Sequence, residues 1–427
     1  MNEDKLFLKC AWRLMPFMML LYLVNYIDRV NVGFAALTMN KALGFSPSIF
    51  GYGAGAFFIS YALFQMPANA ILTRIGARRW IFSIVLAWGV ISASCALVRD
   101  PWSFYALRFL LGLAEAGFFP GMIFYLVLWF PSEYRGRLIA LFMSAAPLSF
   151  IVGGPLSSVI LQMDGTFGLA GWQWLFVIEG IPACVLALLV PFLLPDNPQS
   201  ARWLTHDEKT EIARRLSKDN ATEENEFWQV LLNPTVLALG IANFGYAAGH
   251  YGAQLWLPQI VQGMGYSTLA TGFVTAIPFA LAMAAMIYWG KASDAKGERF
   301  FHVAIAMALA AAGFIVASAS DAGVFVLLGL TVALIGIQSG FGPFYSLPAT
   351  LLKGQQAAAG VALVQTIGLT GGFFGSALIG VIKEQTGGYA MGMGVLAFIL
   401  FASAFIILMV GRALTARVRS GGIFSPN

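Results

Sequence analysis

The chain has 427 residues, of which 59% are hydrophobic and 11% are charged, with a formal net charge of +5. Soluble domains carry about a quarter charged residues, so this composition excludes an ordinary soluble protein and indicates a membrane protein. The small net charge does not argue for a nucleic-acid partner, and the three cysteines, Cys10, Cys95 and Cys184, fit no CxxC or metal-binding spacing.

Apolar windows along the chain predict twelve transmembrane helices, because about 20 apolar residues cross the hydrocarbon core of a bilayer. The first window follows a short basic head, is too long for the core of a signal peptide and lacks an A-x-A cleavage site, so we interpret it as the first span. In the tenth window, Pro343 and Pro348 predict a kink or an early end. The windows lie near residues 14–38, 50–72, 80–98, 103–129, 137–163, 174–194, 234–262, 267–290, 301–319, 322–350, 356–382 and 389–412.

One long polar stretch separates the sixth and seventh windows. Pro195 and Pro198 predict the end of the sixth span, since proline cannot continue a helix. Thr205 and Glu208 have the spacing of a capping box, which predicts a short amphipathic surface helix over 206–217. The stretch carries no catalytic signature, so we interpret it as a linker.

This linker divides the chain into two halves of six spans. We expect an N-terminal six-helix bundle at 1–194, the linker at 195–233 and a C-terminal six-helix bundle at 234–427. Twenty of the 25 Lys and Arg residues lie in segments on the linker's side of the membrane, and only three lie on the opposite side. The positive-inside rule therefore predicts that the linker and both termini are cytoplasmic.

A short repeat supports the division into halves. The sequence TRIGARR (73–79) follows the second span and SDAKGER (293–299) follows the eighth, with Gly76 aligned to Gly297. Two parallel six-helix halves are the plan of secondary transporters, in which the substrate site lies at mid-membrane between the halves. The fold class predicted is thus an all-α membrane protein of twelve helices in two pseudo-symmetric bundles.

Five charged residues fall inside predicted spans: Asp28, Arg29, Arg108, Glu115 and Glu179. A charge at the bilayer centre costs about 3 kcal/mol or more, so intramembrane charges usually serve a function. Asp28 and Arg29 point about 100° apart on a helix, whereas Arg108 and Glu115 share one face. We expect Asp28, Arg108 and Glu115 to cluster, with Arg29 turned to a cavity. The alternative is a static buried network, which is the interpretation we favour for Glu179.

Polar side chains within the spans are candidates for substrate contact. Asn243, Tyr246 and His250 recur on one stripe of the seventh helix, and an imidazole at that depth can accept a proton or bind a ligand. Polar packing between helices is an equally good interpretation of each. The candidates are Tyr26, Asn31, Tyr61, Asn243, Tyr246, His250, Tyr251 and Gln365.

These features resemble the major facilitator superfamily over nearly the whole chain. Its cytoplasmic loop signature, G-x-x-x-D-x-x-G-x-[RK]-[RK], is matched by Gly290–Arg299 at all but its last position, while the first copy has Thr73 where aspartate is usual. LRFLLGLAEAG (107–117) is similar to the signature of the fourth span. The resemblance implies a conformational latch at the loops, formed by Asp294, Arg299, Arg78 and Arg79.

Within the superfamily the chain resembles the anion:cation symporter family, through NYIDRVNVGFA (25–35), RFLLGLAEAGFFPG (108–121), GWQWLFVIEGIP (171–182), YGAQLWLPQIV (251–261) and GGFFGS (371–376). The resemblance implies that Asp28 and Glu115 carry protons. It implies that Arg29 and Arg108 govern anion binding. Gln365 is the nearest amide to Leu369, where that family often has asparagine.

The same resemblance makes Tyr26 and Tyr61 substrate contacts. It implies proton-coupled uptake of a small organic carboxylate, such as tartrate or a related hydroxy or aromatic acid, by a monomer in a bacterial inner membrane. We expect no enzyme activity, cofactor or metal, since the chain lacks GxGxxG at a strand–helix turn, GxxxxGK[ST] and HExxH. Two alternatives stay open: a proton-driven antiporter that exports a drug or metabolite, and a transporter-like sensor.

Overall fold

The computed structural model describes residues 3–219, 232–352 and 354–419, which form α-helices joined by short loops and 3₁₀ turns, without a β-strand. The helices of the first half are α1 (Glu3–Leu43), α2 (Pro47–Ile75), α3 (Ala77–Ser94), α4 (Pro101–Glu115), α5 (Phe118–Trp129), α6 (Ser132–Met143), α7 (Ala145–Ile160), α8 (Gly171–Leu193) and α9 (His206–Asp219). Those of the second half are α10 (Pro234–Gly263), α11 (Thr268–Lys296), α12 (Phe300–Ser318), α13 (Gly323–Leu351), α14 (Gly354–Thr386) and α15 (Ala390–Arg419).

Eleven helical segments of the described chain are long and apolar enough to cross a membrane. They include every predicted span except the seventh, which corresponds to α10. That helix has 30 residues, so its length of about 45 Å also suffices to cross a bilayer. Its 18-residue windows are less apolar than those of the other eleven segments, because they include polar side chains such as Asn243, His250 and Gln254. The predicted fold class, an all-helical membrane protein, is confirmed.

The predicted fourth and fifth spans are each broken into two helices, which the hydropathy windows did not indicate. The fourth breaks at Ala116 and Gly117, between α4 and α5, and the fifth breaks at Ser144, between α6 and α7. Pro120 and Pro147 lie just beyond these breaks, and neither has the backbone N–H that would continue the ladder of the preceding helix. The tenth span does not end early, because α13 runs on to Leu351.

The described residues form two compact units. The first consists of described residues from Met1–Phe45, Ala56–Glu223 and Ser267–Phe273, and the second of those from Ser46–Gly55, Glu224–Tyr266 and Val274–Asn427. The predicted bundle boundaries, at 194 and 234, stay a prediction.

In the first unit, α1 packs against α7 and α8, and α3 packs against α8. Gly112 allows α4 to approach α2 very closely, since a Cβ at this position would lie 2.1 Å from the backbone oxygen of Phe57. In the second unit, α10 packs against α14 and α15, and α12 packs against α13 and α15. Such close backbone contact through small residues is the usual way in which membrane helices associate.

The helix of the linker, α9, is attached to the start of α1 by ion pairs. Glu208 accepts the ammonium of Lys9 at 2.8 Å, and Arg214 and Arg215 each pair with Glu3. The reciprocal capping predicted for Thr205 and Glu208 is present at the start of α9. Residues 220–231 of the predicted linker lie outside the described residues.

Candidate functional site

Arg29 on α1 and Glu115 at the end of α4 form a buried ion pair. The Arg29 Nη2 donates to Glu115 Oε2 at 2.8 Å, and the side chains are 6% and 0% exposed. The sequence-based expectation placed Arg29 at a cavity and grouped Glu115 with Arg108 and Asp28. The pairing of Glu115 with Arg29 was not expected, and it arises because the rotation of α1 in the packed unit turns Arg29 toward the end of α4. That Arg29 lines a cavity stays a prediction.

Three aromatic rings surround the Arg29 guanidinium. Its central carbon lies 4.8 Å from the ring centre of Tyr26, 5.1 Å from that of Phe57 and 5.1 Å from that of Tyr61. Tyr26 and Tyr61 were predicted as substrate contacts, whereas Phe57 was not. Phe57 could have been predicted from its position four residues before Tyr61, because this spacing places both rings on one face of α2. Stacked rings hold a guanidinium plane in a defined orientation.

Arg108, on α4, is fully buried, and its side chain makes no hydrogen bond within the part of the chain that the structure describes. Its Nε, Nη1 and Nη2 atoms find no partner among the described residues, and its central carbon lies 5.2 Å from the ring centre of Phe57. The predicted direct cluster with Asp28 and Glu115 is therefore not formed by hydrogen bonds. Phe57 instead lies against both arginines of the site. A guanidinium in this state can bind a carboxylate through two parallel hydrogen bonds.

Asp28 faces α3 instead of Arg108. Its carboxylate accepts the Trp88 indole N–H at 3.1 Å and the Ser92 hydroxyl at 2.8 Å, and the Asn31 amide lies 3.5 Å away. All four side chains are buried. Asp28 thus has neutral donors but no ion pair within the described chain, so nothing of opposite charge directly compensates its ionised form.

The candidates of the second unit divide into two groups. Asn243 donates to the backbone oxygen of Val364, and the Tyr246 hydroxyl donates to the backbone oxygen of Ile337. These two side chains therefore join α10 to α14 and α13. His250 and Tyr251 are buried side by side, with ring centres 4.7 Å apart. Gln365, on α14, is half-buried.

The two repeat loops share a backbone feature and differ in their side-chain contacts. Gly76 and Gly297, aligned in the sequence, both have positive φ, at 85° and 63°. In the first loop, Arg78 pairs with Asp196 at 3.2 Å, and Arg79 is exposed.

In the second loop, Glu298 caps α12 by accepting the Phe301 N–H at 2.7 Å, while Asp294 is exposed and Arg299 precedes the helix. Glu298 is thus the residue that caps α12. The latch role of these residues stays a prediction. No cluster of three His, Cys, Asp or Glu side chains suited to a metal occurs in the described part of the chain.

Comparisons with known proteins place this chain in a family. Residues 18–376 match the model of the Major Facilitator Superfamily. A protein of Agrobacterium vitis named "Putative tartrate transporter" is 45% identical over 413 residues, which cover 96% of this chain and 95% of the relative. A protein of Acinetobacter baumannii named "Quinolone resistance transporter" is 37% identical over 405 residues, covering 94% and 93%.

The fold has a solved counterpart. The inward-facing, unoccupied crystal structure of a bacterial homolog of the human lysosomal transporter Spinster superposes with a TM-score of 0.77 at 17% identity, covering 97% of this chain and 98% of that one. This likeness shows a shared fold. The protein is a multi-pass secondary transporter and not an enzyme. On the family match and the close relatives together, this chain belongs to the major facilitator superfamily, and its relatives are consistent with the anion:cation symporter type.

Proposed function

We propose that this transporter takes up a small organic carboxylate together with protons, across a bacterial inner membrane. The observation that carries the proposal is Arg108, a fully buried guanidinium whose three nitrogens lack hydrogen bonds within the described chain. A buried cation of this kind is suited to a carboxylate. The name of the Agrobacterium vitis relative makes tartrate the first substrate to test.

The Arg29–Glu115 pair offers a direct means of coupling. When Glu115 takes up a proton, it loses the charge that holds Arg29, and the guanidinium can then turn to a substrate carboxylate. Binding of the proton and of the anion therefore favour each other. Arg29 lies among Tyr26, Tyr61 and Phe57, whose rings would limit its movement to a small change of angle.

Asp28 is the second proton carrier in this proposal. An inside-negative potential opposes anion entry by about 2.3 kcal/mol per charge per 100 mV. Two protons, on Asp28 and Glu115, would neutralise a dianion. Enclosing a protonated carboxyl in the low-dielectric core also costs less than enclosing a charged one. We further propose alternating access by a monomer with both termini cytoplasmic, and a latch that includes Asp294, Arg299, Arg78 and Arg79.

The second unit would contribute polar contacts to the substrate. The candidates are His250, Tyr251 and Gln365, together with Asn243 and Tyr246, whose side chains donate to backbone oxygens. Asn31 belongs with Asp28 and acts on the proton site rather than on the anion.

The deciding experiment is uptake of labelled tartrate into proteoliposomes under opposed pH gradients. We expect accumulation when the outside is acidic and little when the gradient is reversed. Asp28→Asn and Glu115→Gln should each abolish accumulation while retaining counterflow exchange. If both variants kept full proton-driven accumulation, these carboxyls would not be the coupling sites. If the wild type bound tartrate but ignored the pH gradient, the proposed symport would be wrong.

The second candidate function is proton-driven export of a drug. The name of the Acinetobacter baumannii relative favours it, at 37% identity. The same proteoliposomes decide between the two. An exporter of this kind would move a fluoroquinolone in the direction opposite to the flow of protons down their gradient. We expect no such movement. A fluoroquinolone also carries a carboxylate that Arg108 could bind, so the direction of transport relative to the proton gradient, and not the arginine, decides between the two functions.

A further inference from the structure

The two carboxylate oxygens of Asp28 have different partners on α3. Its Oδ2 accepts the indole N–H of Trp88 at 3.1 Å, and its Oδ1 accepts the hydroxyl of Ser92 at 2.8 Å. The Asn31 amide lies 3.5 Å from Oδ1, which is the long limit of a hydrogen bond. Trp88 and Ser92 are one helical turn apart, so both lie on the face of α3 that meets Asp28. The carboxylate therefore has one close donor on each oxygen.

These two donors respond differently when Asp28 takes up a proton. An indole N–H can only donate, whereas a serine hydroxyl can donate or accept. A proton on Oδ2 would face the Trp88 N–H and break that bond. A proton on Oδ1 can instead be donated to Ser92 Oγ. The Ser92 hydroxyl can then turn to the backbone carbonyl four residues before it, as helical serines commonly do. The arrangement thus favours protonation at Oδ1, with the indole bond at Oδ2 kept.

We propose that Trp88 and Ser92 are positioning residues of the proton site, which direct the proton to Asp28 Oδ1 and set the pH at which it is released. The inference rests on the proposed role of Asp28 as a proton carrier. The indole bond persists in both states but is stronger to an ionised oxygen than to a neutral one, so Trp88 favours release. Ser92 also donates to the ionised form, but in the protonated form it gains a second bond. Its preference for release is therefore weaker than that of Trp88.

The other charged and titratable groups around Asp28 come from three of the helices that surround it, and from its own helix. α7, which also packs against α1, contains no titratable residue. Those of α6 lie near the start of α1, where Tyr134 donates to Asp4, and the arginines of α3 lie at its start, more than two turns before Trp88. The groups nearer to Asp28 are Arg29 on α1, Cys95 after α3, Arg108 and Glu115 on α4, and Glu179 and Cys184 on α8. All of them are unchanged in the variants below.

The test removes each donor separately and pairs it with a matched control. Trp88→Phe keeps an aromatic ring but loses the N–H. Its control is Trp172→Phe on α8, since Trp172 is also buried but its N–H has no partner among the described residues. Ser92→Ala loses the hydroxyl, and its control is Ser94→Ala, whose hydroxyl bonds the backbone of its own helix. The readout is the external pH at which proton-driven tartrate uptake is half-maximal. Counterflow exchange, which needs no net proton movement, reports whether each variant is folded and binds.

We expect Trp88→Phe to move the half-maximal pH upward by about one unit, because Asp28 loses a donor to its ionised form and holds its proton longer. Ser92→Ala should move it upward by about half a unit, because the lost hydroxyl served both forms. The two controls should keep the wild-type value. If Trp88→Phe does not fold, Ser92→Ala and Ser94→Ala still decide.

The inference would be overturned by an unchanged or lower half-maximal pH in Trp88→Phe and Ser92→Ala. A shift in Trp172→Phe as large as that in Trp88→Phe would also overturn it, because loss of packing would then explain both. A wild type without proton-driven uptake, or an Asp28→Asn variant that retains it, would instead overturn the proposed function.

Discussion

Replacing Glu115 with glutamine should strengthen substrate binding while it removes coupling. In the structure, Glu115 holds Arg29 through a 2.8 Å ion pair, so an incoming carboxylate must displace it. A hydrogen bond to a charged group contributes about 1.5–3 kcal/mol, of which the neutral glutamine oxygen keeps a part. We expect a gain of at least about 1.4 kcal/mol, which is a tenfold lower Kd for tartrate.

Calorimetric titration of the purified protein at neutral pH measures this Kd directly. The substrate-free variant should also unfold at a lower temperature, because Arg29 is left buried without its anion, and tartrate should restore the loss. Glu211, a half-buried carboxyl on α9 paired with Arg214, gives the matched control: Glu211→Gln should change neither quantity. Weaker tartrate binding by Glu115→Gln would refute the competition between Glu115 and substrate.

Three further outcomes can be checked on the same purified protein. Arg29→Lys keeps the charge but loses the planar fork, so tartrate affinity should fall tenfold or more; near-normal affinity would contradict a direct role in binding. Gly112→Ala should lower the free energy of unfolding by about 1–3 kcal/mol, because its Cβ would meet a backbone oxygen at 2.1 Å. Gly136→Ala, inside α6 and with nothing within 4 Å of the new Cβ, should instead raise it by up to about 1 kcal/mol. The hydrogen bond from Lys9 holds the pKa of Glu208 below its usual value, so the pair's contribution of about 0.2–1 kcal/mol is present above about pH 4.3 and disappears as the pH falls through the lowered pKa. Chemical unfolding of wild type and Lys9→Ala should therefore differ at pH 7 and coincide at pH 3; an equal difference at both pH values would contradict this assignment.

Hydropathy and local signals predicted most of the helices of this protein. Long apolar windows located the spans because crossing the hydrocarbon requires a continuous apolar helix with internal hydrogen bonds. The capping at Thr205 and Glu208 could also be predicted, because it is a local interaction between residues three positions apart. The breaks before Pro120 and Pro147 were missed, although a missing backbone N–H is also a local signal.

The partners of the buried charges could not be predicted from such local signals. Arg29 and Glu115 are 86 positions apart, and whether they meet depends on the rotation of α1 and α4 about their own axes. The approach of α2 and α4 through Gly112 is equally non-local, and it brings Phe57 between the two arginines. Hydrophobic periodicity indicates which face of a helix is buried, but it does not indicate which neighbour that face will meet.

The contact between Asp28 and Trp88 gives the molecule an optical reporter of its own. The fully buried indole donates its N–H to the carboxylate, so the charge on Asp28 lies at the pyrrole end of the ring. Excitation of indole moves electron density from the pyrrole ring to the benzene ring, and an anion at Nε1 therefore lowers the emission energy. The difference in fluorescence between the wild type and Trp88→Phe isolates this residue from the other ten tryptophans. Emission from Trp88 can thus follow the ionisation of a single intramembrane carboxyl, in a protein that carries no added label.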